Sequence, residues 1–144
     1  CTSGTIAAGY NSIEEKIKKE KPSTSVTTPS TAAVSALKKL NIKKIYLFTP
    51  YPKKLNDEVI EFFKKEGLEI TSNSYFDIVS NIDLNGADAL FISCTALPAL
   101  AIIDRLEKKH GKMVLSSNQA LIWETLEKIG MNKSITGFGK LFSN

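Results

Sequence analysis

Apolar and polar positions along this chain follow two rhythms, one of helical period and one of short continuous apolar runs, and they alternate. In "IAAGYNSIEEKIKKEK", Ile6, Tyr10, Ile13 and Ile17 recur at helical spacing and predict one amphipathic helix. "KPSTSVTTPSTAAVSALKKLN" passes from a Pro/Ser/Thr connection into a second helix, with Thr28 or Ser30 as cap, Pro29 in the first turn and Ala33, Leu37 and Leu40 on one face. "IKKIYLFTP" reads as a buried strand. "KKLNDEVIEFFKKEG" reads as a helix with Leu55, Val59, Phe62 and Phe63 inward and Gly67 closing it. "LEITSNSYF" is a short strand, and "GADALFISC" is an apolar run of the kind found in a strand covered on both faces. Pro98 then precedes the helix "ALAIIDRLEKKHG". "KMVLSS" is a further strand, "NQALIWETLEKIG" a further helix, and "ITGFGKLFSN" an irregular tail with apolar Phe138, Leu141 and Phe142.

Strands alternating with helices predict an α/β domain built on an open, mainly parallel, Rossmann-like sheet. One segment breaks the pattern. "SNSYFDIVSNIDLNGAD" joins two strands with little helical periodicity, where a parallel crossover ordinarily carries a helix.

Length and composition narrow the classes. A chain of 144 residues with 42% hydrophobic and 24% charged residues is a globular domain of ordinary core size rather than a disordered segment. The formal charge of +4 and pI near 9.0 come from lysines in "KIKKEK", "FFKKEG" and "LEKKHGK", interleaved with glutamate. That is the composition of solvated helix faces, so no nucleic-acid partner is expected. No apolar run spans a bilayer and no signal-peptide pattern is present, so no membrane partner is expected either. The two cysteines, Cys1 and Cys94, are expected as free thiols in a reducing, cytoplasmic setting. A lipid anchor at Cys1 would call for a polar tether after it, and a helical pattern follows instead.

The candidate chemistry lies in "CTSGT" and "CTALP". Cys94 ends a strand with a helix expected just beyond, and Cys1 precedes a Thr/Ser/Gly turn and a helix. The opening therefore reads as a strand–turn–helix unit without its strand, as in a fragment. A thiol at a helix N-terminus has its thiolate favoured by the aligned N–H groups. The same N–H groups, with the hydroxyls of Thr2, Ser3 and Thr95, can hold a carboxylate or the enediolate formed beside it. Tyr51 in "TPYP" can donate to a carboxylate or plug the core rim. "SSNQ" can do the same work or cap its helix through Asn118, and His110 is expected to cap carbonyls at a helix end. No cluster has metal-ligand spacing and no phosphate loop is present.

These residues, together with "TPSTAAVSALKKL", "IYLFTPYPKKLNDEV", "ADALFISCTALPAL", "GKMVLSSNQALIWETLEKIG" and "GFGKLF", resemble the maleate cis-trans isomerase and arylmalonate decarboxylase branch of the aspartate/glutamate racemase superfamily. The resemblance implies two similar α/β halves with the site between them, no cofactor and no metal. It implies residues 1–26 as a remnant of the first half, 27–115 as the second half, and 116–144 as a segment packing back on the first. Cys1 and Cys94 match the two catalytic positions, Thr2, Ser3 and Thr95 the carboxylate-binding turns, and Tyr51 the tyrosine that contacts substrate. The decarboxylases carry glycine at the first position, so two cysteines favour isomerisation or racemisation of a small mono- or dicarboxylic acid. Decarboxylation of a malonate-type acid and ligand binding without turnover are the alternatives. Maleate, a maleamate-like acid, an aspartate-like amino acid and a hydantoin all remain open as substrates. Family members commonly associate, which makes a homo-oligomer an expectation. Two parts of the family pattern are missing: roughly its first third, and a helix within "SYFDIVSNIDL", where a family asparagine is replaced by Asn73, by Asn81 or by neither.

Overall fold

Four parallel strands in the order β2–β1–β3–β4 form the frame of the computed structural model, which describes residues 1–75, 82–131 and 134–143. The strands are β1 (Lys44–Thr49), β2 (Glu69–Tyr75), β3 (Ala89–Ile92) and β4 (Met113–Ser116). The helices are α1 (Thr2–Ala8), α2 (Tyr10–Glu20), α3 (Pro29–Lys39), α4 (Lys53–Lys65), α5 (Ile103–His110) and α6 (Ser117–Lys128). β1 pairs with β2 on one side and β3 on the other, so the chain reverses its direction of winding between β1 and β3. In open α/β sheets the crevice beyond the strand ends at such a reversal is where ligands sit.

The apolar runs predicted as buried strands are buried on both faces. Ile45, Leu47, Phe91 and Leu115 pack with Leu37 of α3, Val59 and Phe63 of α4, and Ala120 and Trp123 of α6. Tyr46, Phe48, Leu90, Ile92 and Val114 pack on the other side with Ile103 and Leu106 of α5 and with Ile82, Leu84 and Ala87. The irregular tail closes over the first of these cores, with Leu141 and Phe142 buried while Phe138 stays exposed. Two buried side chains fasten it there. Glu107 accepts from the backbone N–H groups of Val114 (3.2 Å) and Lys140 (3.0 Å), and Gln119 donates to the Phe138 carbonyl (2.6 Å).

Helix ends follow from local chemistry, with some departures from expectation. Thr28 caps α3 in a reciprocal box, its hydroxyl accepting from the Thr31 N–H at 3.4 Å while the Thr31 hydroxyl accepts from the Thr28 N–H at 3.1 Å. Thr28→Ala is expected to cost about 1 kcal/mol, read as a lower urea midpoint with an unchanged slope. The single amphipathic helix expected after Cys1 is instead two helices. Gly9, at φ 76°, ends α1 and starts α2, and α2 buries none of its residues, leaving Ile17 exposed. A left-handed glycine interrupts the α-helical backbone, and the regular spacing of the apolar residues conceals that break. α5 is closed by Gly111 at φ 65°, whose N–H bonds to the Glu107 carbonyl. His110, expected as the cap there, instead has a buried Nε2 without a partner, and burial together with Lys109 lowers its pKa.

Candidate active site

Three segments leave the carboxyl edge of the sheet near the winding reversal. β1 ends at Thr49 and delivers Tyr51, β3 ends at Ile92 and delivers Cys94, and β4 ends at Ser116 where α6 begins. A relay that runs from the core out to the surface fixes the first of them. The Thr49 hydroxyl donates to Asn56 Oδ1 at 2.7 Å, and Asn56 Nδ2 donates to Asn73 Oδ1 at 3.1 Å, tying the end of β1 to α4 and β2. Asn73 is therefore committed to this relay. Asn81 lies outside the described residues.

The first cysteine turn matches the helix-start expectation. Cys1 caps α1, and its exposed sulfur accepts from the Gly4 N–H at 3.3 Å and lies 3.5 Å from the Ser3 hydroxyl. The second turn differs. Cys94 is followed by a turn over residues 95–97 and a 3₁₀ turn (Ala99–Ile102), and α5 begins only at Ile103. Pro98 lacks an N–H and has its φ fixed, which suits this slower entry into the helix. The Cys94 sulfur, buried, still accepts a backbone N–H, from Ala96 at 3.4 Å. Each sulfur thus faces an amide of its own turn, a donor complementary to a thiolate. Both thiols are free.

Tyr51 neighbours a residue of each turn. Its hydroxyl is buried without a formed hydrogen bond, yet its neighbours are the Cys94 thiol and Ser3. Burial, and then the Cys94 thiol beside it, push its pKa up to about 12. Cys1, Ser3, Tyr51 and Cys94 therefore form a chain of neighbouring polar groups. Among the described residues, four buried side-chain polar atoms lack a partner, and three of them, on Tyr51, Ser74 and Ser93, belong to residues at or just past the ends of β1, β2 and β3. Orphan donors concentrated at one edge are what a ligand or ordered water would satisfy.

A raised tyrosine pKa has a definite consequence for stability. Between about pH 10, the ordinary value, and about 12, the unfolded chain releases the Tyr51 proton while the folded chain keeps it. Stability from this group is thus complete below pH 10 and is lost as pH rises through 12. Tyr10 is also raised, by burial and Glu14, so ultraviolet titration of the four tyrosines is expected to lose the late phase that belongs to Tyr51 in Tyr51→Phe while any Tyr10 delay stays.

The remaining predicted residues divide. Thr95 is half-buried beside Cys94, and its carbonyl accepts from Asn118 Nδ2 at 3.0 Å. Thr2 is fully buried and its hydroxyl is bound to the Ser117 hydroxyl at 2.8 Å, so it faces the protein. The cap of α6, expected from Asn118, is Ser116, which accepts from the Gln119 N–H at 3.2 Å. Sequence reasoning does not single out Ser117 or Asn56. Ser117 is marked only as a member of "SSNQ", and Asn56, in the first turn of α4, carries no sequence signal at all. Two clefts, of about 470 Å³ beside Glu107 and Lys140 and about 650 Å³ between α1 and α4, include neither cysteine. Among the described residues no three His, Cys, Asp or Glu side chains gather as metal ligands would, and no helix is long and apolar enough to cross a membrane.

Comparison with known proteins converges on one group. The family model for arylmalonate decarboxylase matches residues 82–142. A maleate isomerase of Geobacillus stearothermophilus is 27% identical across 82% of this chain and 54% of its own length. An arylmalonate decarboxylase of Bordetella bronchiseptica is 26% identical across 94% of this chain and 65% of its own length. The chain thus spans little more than half the length of the first and about two thirds of the second. Among solved structures, a maleate cis-trans isomerase of Nocardia farcinica superposes with a TM-score of 0.89 at 20% identity, covering 99% of this chain and 69% of that one. That structure is of a cysteine-to-serine mutant with a covalently bound succinylcysteine intermediate.

Proposed function

We propose that this chain, which falls in the maleate isomerase and arylmalonate decarboxylase branch, carries the two-thiol site of an isomerase acting on a small cis-dicarboxylic acid. The observation that carries the reading is the chain of neighbours Cys1–Ser3–Tyr51–Cys94, with Tyr51 and Cys94 just past the ends of the two strands that flank the winding reversal. A binding protein has no need of two thiols, each facing a backbone amide, with a protonated phenol beside one of them.

The reaction follows from those groups. The Cys1 thiolate adds to one carbon of the double bond. A C–S bond forms, and the π electrons move onto the neighbouring carbon and its carboxylate. The charge that develops there is met by hydroxyls and backbone N–H groups of the two turns. The Cys94 thiol gives that carbon a proton, leaving a succinyl group on Cys1 whose central bond is single and rotates. Cys94 then removes the proton, the C–S bond breaks, and the trans acid leaves with Cys1 again a thiolate. Tyr51, a neutral phenol near neutral pH as any tyrosine is, donates to a carboxylate throughout. The succinylcysteine seen in the Nocardia farcinica mutant is the same kind of adduct and supports a covalent thiol intermediate. Racemisation at a carbon beside a carboxylate would use the same thiols without the C–S bond.

Incubation with maleate, followed by proton NMR of the vinyl signal, tests the reading. Fumarate is the expected product. Recovery of unchanged maleate, with both cysteines still protected from alkylation by it, would instead mark a binding protein.

A further inference from the structure

The two cysteine turns lie 93 residues apart in sequence, yet both are fastened to the first turn of one helix. Ser117, fully buried, holds the Thr2 hydroxyl at 2.8 Å, one residue from Cys1. Asn118, the next residue, donates to the Thr95 carbonyl at 3.0 Å, one residue from Cys94. Neither bond caps α6, because the reciprocal box of Ser116 and Gln119 already satisfies that helix start. The Thr2–Ser117 contact also joins segments 115 residues apart in sequence. A buried hydroxyl pair that crosses the domain is poorly explained as local packing, since a buried polar group without its partner is costly.

We propose that Ser117 and Asn118 are positioning residues that set the two thiols relative to one another. α6 is a rigid helix anchored below by Ala120 and Trp123 in the core, so its first two side chains form a brace with fixed spacing. Ser117 locks the α1 turn in which the Gly4 amide meets the Cys1 sulfur. Asn118 locks the turn in which the Ala96 amide meets the Cys94 sulfur. Chemistry shared between two groups is sensitive to displacements of an ångström, so one common anchor is a direct way to hold their separation. This assignment rests on the two-thiol reading for its purpose, but the brace itself is readable without turnover.

The test is the alkylation rate of each cysteine, resolved by peptide mass, in the whole chain and without ligand. Asn118→Asp removes the donor at nearly unchanged shape and is expected to raise the Cys94 rate at least about threefold by local opening, with Cys1 unchanged. Ser117→Ala is expected to lower the Cys1 rate at neutral pH by at least about threefold as its amide contact loosens, with Cys94 unchanged. The double variant Thr2→Val/Ser117→Ala leaves no hydroxyl buried alone and keeps the test open if the single variant unfolds. Wild-type rates in all folded variants, or both cysteines shifting together in each, would overturn the brace. Maleate protection of the wild-type cysteines is measured alongside. If it is missing, the dicarboxylate reading fails, and the site-selective rate changes still decide the brace.

Discussion

Cys94→Ser is expected to lose about a hundredfold to ten-thousandfold in turnover of a cis-dicarboxylate, the range for removal of a positioned acid–base group. Cys1→Ser is expected to lose at least about a thousandfold, about 4 kcal/mol of barrier, because a serine hydroxyl is not appreciably ionised near neutral pH. The two variants differ in what they leave behind. Without Cys1 no adduct forms. Without Cys94 the carbon beside the new C–S bond takes its proton slowly from solvent water, and the adduct then persists, since nothing efficiently removes that proton. Both substitutions are close in volume to the wild type, and Cys1 is exposed, so the folds are expected to survive. Single-turnover kinetics on the two variants separates these outcomes, and equal losses with no adduct in either would contradict the assigned division of labour.

Phe63→Ala is expected to destabilise the fold severely, by about 3–5 kcal/mol. Phe63 is fully buried, and its ring meets Phe62 edge-on at 5.1 Å between centroids and Phe91 at 5.2 Å. It thereby joins α4 to β3, the strand that delivers Cys94. A cavity there removes apolar burial and two aromatic contacts at once. Urea unfolding should show the midpoint fall steeply, and Phe63→Leu should recover most of the loss. A change below about 1 kcal/mol in Phe63→Ala would mean that α4 repacks freely, which would weaken the case for a rigid platform beneath the site.

Much of this architecture is legible in the sequence because burial on both faces writes continuous apolar runs such as "ALFIS", and helical spacing marks Val59 and Phe63. The cap at Thr28, the stop at Gly67 and the parallel sheet follow from local rules, and the structure has them. The features that escape are those that local pattern does not encode. Gly9 sits within an unbroken apolar rhythm, which predicts one helix where there are two. The slow entry into α5 after Cys94 depends on the turn around Pro98, and the capping of α6 falls to Ser116 rather than Asn118. The hydroxyl of Thr2 reads as free for a ligand because its partner, Ser117, is 115 residues away. Long-range polar pairs of this kind emerge only once the chain is folded. The adjacency of Ser3, Tyr51 and Cys94 is another such product of the sheet's winding.

The most direct measurement is peptide mass analysis of Cys94→Ser after incubation with maleate. One succinyl group on Cys1, removable in the wild-type chain and persistent in the variant, is the expected result. A folded variant that carries no adduct on Cys1, from a chain that also fails to turn maleate into fumarate, would contradict the two-thiol isomerase.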